Sequence, residues 1–183
     1  VVNNHSGIVL GTATNTSSLT SNVVKGISGT SSSFAYRIAG ISIGNSTPIV
    51  SLTSNLVDIV GVSSNTSAAS TVYGIYSGST SITSVTNKKN IIRNLFCANT
   101  NAPTIIGWYD NALNRTYINN FIAVDNTTGS TSYTVNSILY GMYLVNPSSG
   151  RTANFYYNTI ELGASVSSNP VTTTVYQAST TAN

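Results

Sequence analysis

A glycine-led tetrapeptide recurs along this chain with near-constant spacing. The copies are Gly7-Ile8-Val9-Leu10, Gly40-Ile41-Ser42-Ile43, Gly74-Ile75-Tyr76-Ser77, Gly107-Trp108-Tyr109-Asp110 and Gly141-Met142-Tyr143-Leu144, with glycines 33, 34, 33 and 34 residues apart. A further copy without its glycine, Thr174-Val175-Tyr176-Gln177, follows 33 residues on. This period constrains the fold more than any other feature. A unit of such length cannot bury a core alone and must stack on its neighbours.

A second motif runs out of phase with the first. It reads Asn22-Val23-Val24-Lys25-Gly26-Ile27, Asn55-Leu56-Val57-Asp58-Ile59-Val60 and Asn90-Ile91-Ile92-Arg93-Asn94-Leu95, with weaker copies starting at Thr116 and Asn154. The starts are 33, 35, 26 and 38 residues apart, so a connection shortens in one coil and the register recovers in the next. Helical repeats share this period, but they need a 3.6-residue apolar pattern and helix-forming surfaces. These units instead hold short β-branched runs broken by Ser, Asn and Gly, residues that favour strands and turns.

Three strands per unit follow. In the second unit they are expected over 37–43, 48–53 and 56–62, and in the third over 72–76, 81–85 and 91–97, with loops such as 63–70 and 125–132 between units. The expected fold is an all-β, right-handed parallel β-helix: three short strands per coil and about five to six coils of 33–34 residues. The hand comes from the rule that about 98% of parallel crossovers are right-handed. Rungs about 4.8 Å apart give a rod of roughly 25–30 Å.

Composition narrows the function. Only 6% of residues are charged, while Ser, Thr and Asn supply 78 of 183; yet 40% are hydrophobic and clustered, which separates the chain from a disordered one. The net charge of +3 comes from scattered bases, too thin a patch for nucleic acid. Cys97 is alone, excludes an internal disulfide, and reads as a buried inert thiol. No stretch is long and apolar enough for a membrane-spanning helix. Residues 1–183 read as a single β-helix module, a mature or partial segment of a longer secreted protein.

Ala153-Asn154-Phe155-Tyr156-Tyr157-Asn158-Thr159-Ile160-Glu161-Leu162, Asn119-Asn120-Phe121-Ile122 and the Asn90–Leu95 segment resemble the Asn-rich right-handed β-helix repeats of large secreted Bacteroidetes proteins. Such proteins often carry a sorting domain for type IX secretion. The resemblance covers most of the chain and implies a bacterial cell-surface or extracellular protein, with adhesion or filament building as its role.

Stacking turns equivalent residues into columns. Tyr76, Tyr109, Tyr143 and Tyr176 form one, preceded by Val9 and Ser42; the neighbouring column is Ile8, Ile41, Ile75, Trp108, Met142 and Val175. Alternation sends the two to opposite faces, so the tyrosines point outward. They either stabilise the sheet or present an aromatic strip to a glycan or a neighbouring rod, and the structural reading carries more weight. Asn94, Asn120 and Asn158 are expected to form a ladder at a bend, since asparagine tolerates left-handed backbone and bonds along a stack. Lys25, Asp58 and Arg93 fall in one column with alternating charge. Asn4, Asn15, Asn45, Asn65, Asn114 and Asn126 head Asn-X-Ser/Thr triplets.

Polysaccharide-cleaving chemistry needs paired carboxylates or a base beside metal-binding acids. The acids are Asp58, Asp110, Asp125 and Glu161, in four different coils, and His5 is the single histidine. Asp110, next to an outward tyrosine, is the best isolated candidate. No catalytic residue, metal site or cofactor is assigned. The expectation is an extracellular structural or adhesive rod that partners itself, end to end or laterally, or further repeats of its own polypeptide. The alternative is a glycan-binding or glycan-cleaving module.

Overall fold

The computed structural model describes residues 2–11, 15–31, 35–44, 48–65, 69–99, 103–125, 138–146, 151–163 and 171–179. The described residues form sixteen strands and no helix, arranged in three parallel sheets that each take every third strand. Sheet 1 holds β1 (Val2–Leu10), β4 (Ala35–Ile43), β7 (Thr71–Ser77), β10 (Thr104–Asp110), β13 (Ile138–Asn146) and β16 (Val171–Ser179). Sheet 2 holds β2 (Thr16–Thr20), β5 (Ile49–Thr53), β8 (Ser84–Lys88), β11 (Asn114–Ile118) and β14 (Thr152–Tyr156). Sheet 3 holds β3 (Val23–Ser31), β6 (Leu56–Asn65), β9 (Ile91–Asn99), β12 (Phe121–Asp125) and β15 (Thr159–Gly163). This is a parallel β-solenoid. Five rungs cross all three sheets and β16 opens a sixth, so sheets 2 and 3 make four rung-to-rung turns, slightly fewer than the expected coil count.

Two strands differ from the sequence expectation by three residues, and the others by at most two. The middle strand of the third unit is β8, Ser84–Lys88, rather than 81–85. Its inward position opposite Leu52 is occupied by Asn87, which breaks the apolar alternation that a strand assignment follows. The residues before it turn instead, with Ser79 Oγ accepting the Ser81 N–H at 3.1 Å. β6 also runs on to Asn65, inside the expected 63–70 loop, because its end pairs with Thr30, Ser31 and Asn99. In the expected 125–132 loop, Asp125 closes β12 and 126–132 lie outside the described residues.

The glycine repeat has a steric cause. Register pairing in sheet 1 skips Gly7, Gly40, Gly74, Gly107 and Gly141, where the strand bends toward sheet 3. A Cβ on Gly107 would collide with Ile122 Cγ2 and sit 2.6 Å from the Gly141 carbonyl oxygen. At Gly74 and Gly40 the same atom would meet Ile92 and Val57, and the next glycine's carbonyl at 2.6 and 2.8 Å. The column therefore packs edge-on against the inward Val24, Val57, Ile92, Ile122 and Ile160 of sheet 3. On either side of the bend, aliphatic columns fill the interior: Ile38, Val72, Ile105 and Leu139, then Ile41, Ile75, Trp108 and Met142, all buried.

The corner between sheets 2 and 3 is wired by asparagine. Asn22, Asn55, Asn90, Asn120 and Asn158 follow residues at positive φ (Ser21, Ser54, Lys89, Asn119 and Tyr157, φ 52–57°). Each of the first four donates its backbone N–H and its Nδ2 to the Oδ1 of the next, at 2.9–3.0 Å. The other Nδ2 hydrogen goes to a backbone carbonyl: Thr20 for Asn22, and Leu19, Leu52, Asn87 and Tyr117 of the preceding rung for the rest. Asn120 and Asn158 stand in the ladder as expected, but Asn94 does not; Asn90 occupies its place. Asn94 lies four residues on, at φ 54° in a sheet 3 kink, and donates to Asp58 Oδ1 at 2.7 Å. The weaker motif copies at Thr116 and Asn154 are likewise four residues early, so the ladder's true steps are 33, 35, 30 and 38 residues.

Asn90→Ala strands both Asn55 donors in a buried corner and leaves Asn120 Oδ1 with one of its two donors, the backbone N–H of residue 90. At about 1–3 kcal/mol per stranded group, urea denaturation should show a loss of about 3–5 kcal/mol. Asn94→Gly, which keeps the left-handed backbone, should lose less than half as much; equal losses would place Asn94 back in the ladder.

Candidate functional site

The tyrosine column lies on the outer face of sheet 1, as alternation requires. Tyr76, Tyr109, Tyr143 and Tyr176 pair in register through β7, β10, β13 and β16. Their rings stack along the rod: Tyr76 on Tyr109 at 5.1 Å and 20°, Tyr109 on Tyr143 at 5.3 Å and 19°, with Tyr176 tilted by 43° at 4.8 Å. A parallel column of Ala39, Tyr73, Ile106 and Tyr140 stands on the near side of the bend. Because the strand bends inward at glycine, the two outward columns converge, and Tyr73 meets Tyr76 at 4.9 Å. Ala39, Tyr73 and Ile106 are buried beneath Tyr76, Tyr109, Tyr140 and Tyr143 as a second, external core. Burial pushes the Tyr73 hydroxyl up to about 12.

This stacking changes what the strip offers a ligand. Ring faces are spent on one another, so a sugar finds edges and hydroxyls along most of the column rather than aromatic faces. The ladder ends at rung 2, where Ser42 replaces tyrosine and Ala39 replaces Tyr73. There the Arg37 guanidinium lies over the Tyr76 ring, 5.7 Å from its centroid. Beside it opens a groove of about 150 Å³ lined by Asn4, Ser6, Arg37, Ala39, Ser42 and Tyr76.

The acids do not converge. Asp58 stands on the outer side of sheet 3 between Lys25 and Arg93, 3.8 and 3.2 Å from their nitrogens. Burial raises its carboxyl, but the Asn94 hydrogen bond and the charges of Arg93 and Lys25 outweigh this and hold it below the usual range. Glu161 is exposed on β15 beside Ala123, and the Asp125 side chain lies outside the described residues. His5 is exposed in the first rung, 5.5 Å from the Tyr36 ring. Cys97 is buried, and burial pushes its thiol up to about 12. Among the described residues no three His, Cys, Asp or Glu side chains gather as a metal site. Asn4, Asn15 and Asn114 are exposed, whereas Asn45, Asn126 and the side chain of Asn65 lie outside the described residues.

Asp110 is not at the surface beside Tyr109 but fully inside the rod. It accepts from the Tyr117 hydroxyl at 2.7 Å and the Ala112 N–H at 2.8 Å, with Arg115 Nε 3.7 Å away. Arg115 is 1% exposed, a charge held in the core, and donates to the Val145 carbonyl. Arg151 Nη1 reaches the same carbonyl at 3.2 Å and that of Asn111 at 2.6 Å. Nearby, both amide atoms of Asn87 and the indole N–H of Trp108 are buried without a hydrogen-bond partner. Sequence reasoning missed Arg115 and Tyr117. The signal was alternation: Arg115 occupies the inward position filled by Val50 and Val85 in the two rungs before it.

Burial, the dominant effect, raises the Asp110 carboxyl against the opposing pull of Arg115, Ala112 N–H and Tyr117. An acid with a raised folded value lowers stability once pH exceeds its unfolded value, near 3.9, and returns that stability on acidification. Arg115→Met leaves Asp110 buried without its cation. The variant should lose about 3–5 kcal/mol at pH 7, and the deficit should shrink toward pH 4, where Asp110 takes up a proton at little cost. Urea melts at the two pH values check this; an equal deficit at both would show that the pair is not its cause.

No protein-family model matches the chain, no curated protein matches it, and no solved structure matches its fold.

Proposed function

We propose that the chain is a structural or adhesive rod segment that works outside the cell, as part of a filament or cell-surface fibre. The observation that carries this reading is the head-to-tail complementarity of its rungs. The rungs present parallel strand edges and an asparagine amide in the same places above and below, around an interior that is apolar except where rungs 3 and 4 hold Asn87, Asp110 and Arg115. The lower face of an apolar rung therefore fits the upper face of another, in this polypeptide or in a second copy. Phe155, stacked on Tyr117 at 5.1 Å and 14°, continues an interior column from one rung to the next, which supports the reading. The low charge and the resemblance to secreted Asn-rich repeats support the extracellular placement, and export by a type IX route rests on that resemblance alone. The reading gives the chain no catalytic role and no cofactor.

A second reading, a glycan-binding module, is favoured by one observation: the Arg37 groove where the tyrosine ladder stops. A cleaving version has no support from the acids, since Asp58 and Asp110 are each committed to arginine partners and Glu161 stands apart.

Sedimentation and negative-stain imaging across a concentration series test the rod. Particles should lengthen along one axis in steps of a single chain, about 25 Å at about 4.8 Å per rung. Monodisperse particles of one chain's length at every concentration would contradict the reading.

A further inference from the structure

The outer face of sheet 1 changes character between rungs 2 and 3. From Tyr76 onward each rung adds a ring to the stack, and the next position in register is Ser42. The missing ring leaves the hollow of about 150 Å³, small against the roughly 300–1,000 Å³ of drug-sized pockets. Its scale is that of one sugar ring or a small acid. Its walls are chemically specific. Arg37 supplies a planar, permanently charged fork, placed over the Tyr76 ring at 5.7 Å from its centroid. Among the described residues Arg37 makes no salt bridge, and the side chains of Asn4, Ser6 and Ser42 make no hydrogen bond to another described residue. One unpaired cation and three uncommitted neutral polar groups thus line a single concavity. Neither Asp58 nor Asp110 opposes the cation there: Asp58 is on sheet 3 and Asp110 is inside the rod.

We propose that this groove binds a carboxylate-bearing sugar residue, a hexuronate unit of an acidic polysaccharide. Arg37 pairs with the carboxylate through its two-pronged donor set. Asn4, Ser6 and Ser42 meet the ring hydroxyls, and Ala39 gives the floor an apolar patch for the C–H face. Tyr76 is a positioning residue that orients the guanidinium. The proposal deepens the glycan-binding reading and rests on it; it stands apart from rod assembly, because the groove opens sideways from sheet 1 and not along the axis.

Calorimetric or chemical-shift titration of the full chain with glucuronate, galacturonate, glucose, galactose and acetate tests it. At least one uronate should bind about tenfold or more tightly than both the neutral sugars and acetate, and added salt should weaken it. Arg37→Gln should reduce uronate binding about tenfold or more with an unchanged melting temperature. Ser42→Tyr, which extends the ladder into the hollow, should abolish binding and keep or raise the melting temperature. Equal binding of acetate would reduce the groove to a generic anion contact, and equal binding of neutral sugars would remove the role of the charge. Either result, or a wild-type response from Arg37→Gln, or no uronate binding, overturns the proposal. Sedimentation of the same samples reads assembly separately, so failure of the site leaves the rod reading to its own test.

Discussion

The solenoid depends on one close approach: the bend of sheet 1 against the inner side chains of sheet 3. Only a residue without a Cβ lets Gly107 pass between Ile122 and the carbonyl of Gly141, and the requirement returns at each rung because each rung lies directly on the last. At the bend sheet 1 packs directly on Val57, Ile92 and Ile122 of sheet 3, and inward residues of sheet 2 such as Val50, Leu52 and Val85 complete the core. It also tilts the outward residues on its two flanks toward each other, which gathers Tyr73, Tyr76, Tyr109, Tyr140 and Tyr143 into an external cluster. The inner core, the outer aromatic seam and the groove where that seam stops therefore share a single steric origin.

Stacking that is so repetitive amplifies both good and bad positions. The asparagine corner gains because each amide bonds to the next and so holds a turn whose preceding residue is in left-handed backbone, even where that residue is Lys89 or Tyr157. Rungs 3 and 4 carry the opposite case. Asn87, Asp110, Arg115 and Tyr117 place polar and charged groups in columns where rung 2 holds Leu52, Ile43 and Val50. Burying them costs stability unless they pair, and Asn87 has no side-chain partner. A uniform apolar column would pair with any other rung, so a rung with a distinctive polar interior fits only its own neighbours. That is our physical rationale for a polar block in the middle of an otherwise aliphatic rod.

The repeat made the parallel stack, the strand triplets and the tyrosine column legible, because a fixed period transfers every side chain to a known column. It failed where period and chemistry disagreed. Aligning coils by their Asn-rich look put Thr116 and Asn154 in register with Asn90, when Asn120 and Asn158 belong there; the shortened 30-residue step shifted the apparent motif by one turn residue set. The same slip placed Asn94 in the ladder. Asp110 stands out in the sequence as the best isolated acid beside the outward Tyr109, and alternation sends the residue after an outward tyrosine inward, where the structure holds it. The Arg37 groove was illegible for another reason. Arg37 and Tyr76 are joined only by the stacking of one rung on the next, and the hollow comes from what Ser42 lacks rather than from any motif it carries.

Gly107→Ala tests the close approach most directly, because it adds one methyl group and leaves backbone preference nearly unchanged at an extended position. With Gly11→Ala as reference, where a Cβ meets nothing within 4 Å, urea denaturation should show Gly107→Ala less stable by about 1–3 kcal/mol or more and Gly11→Ala unchanged. If the two variants were equally stable, sheet 1 would not run against sheet 3 at the glycine column, and the account of the repeat would fail with it.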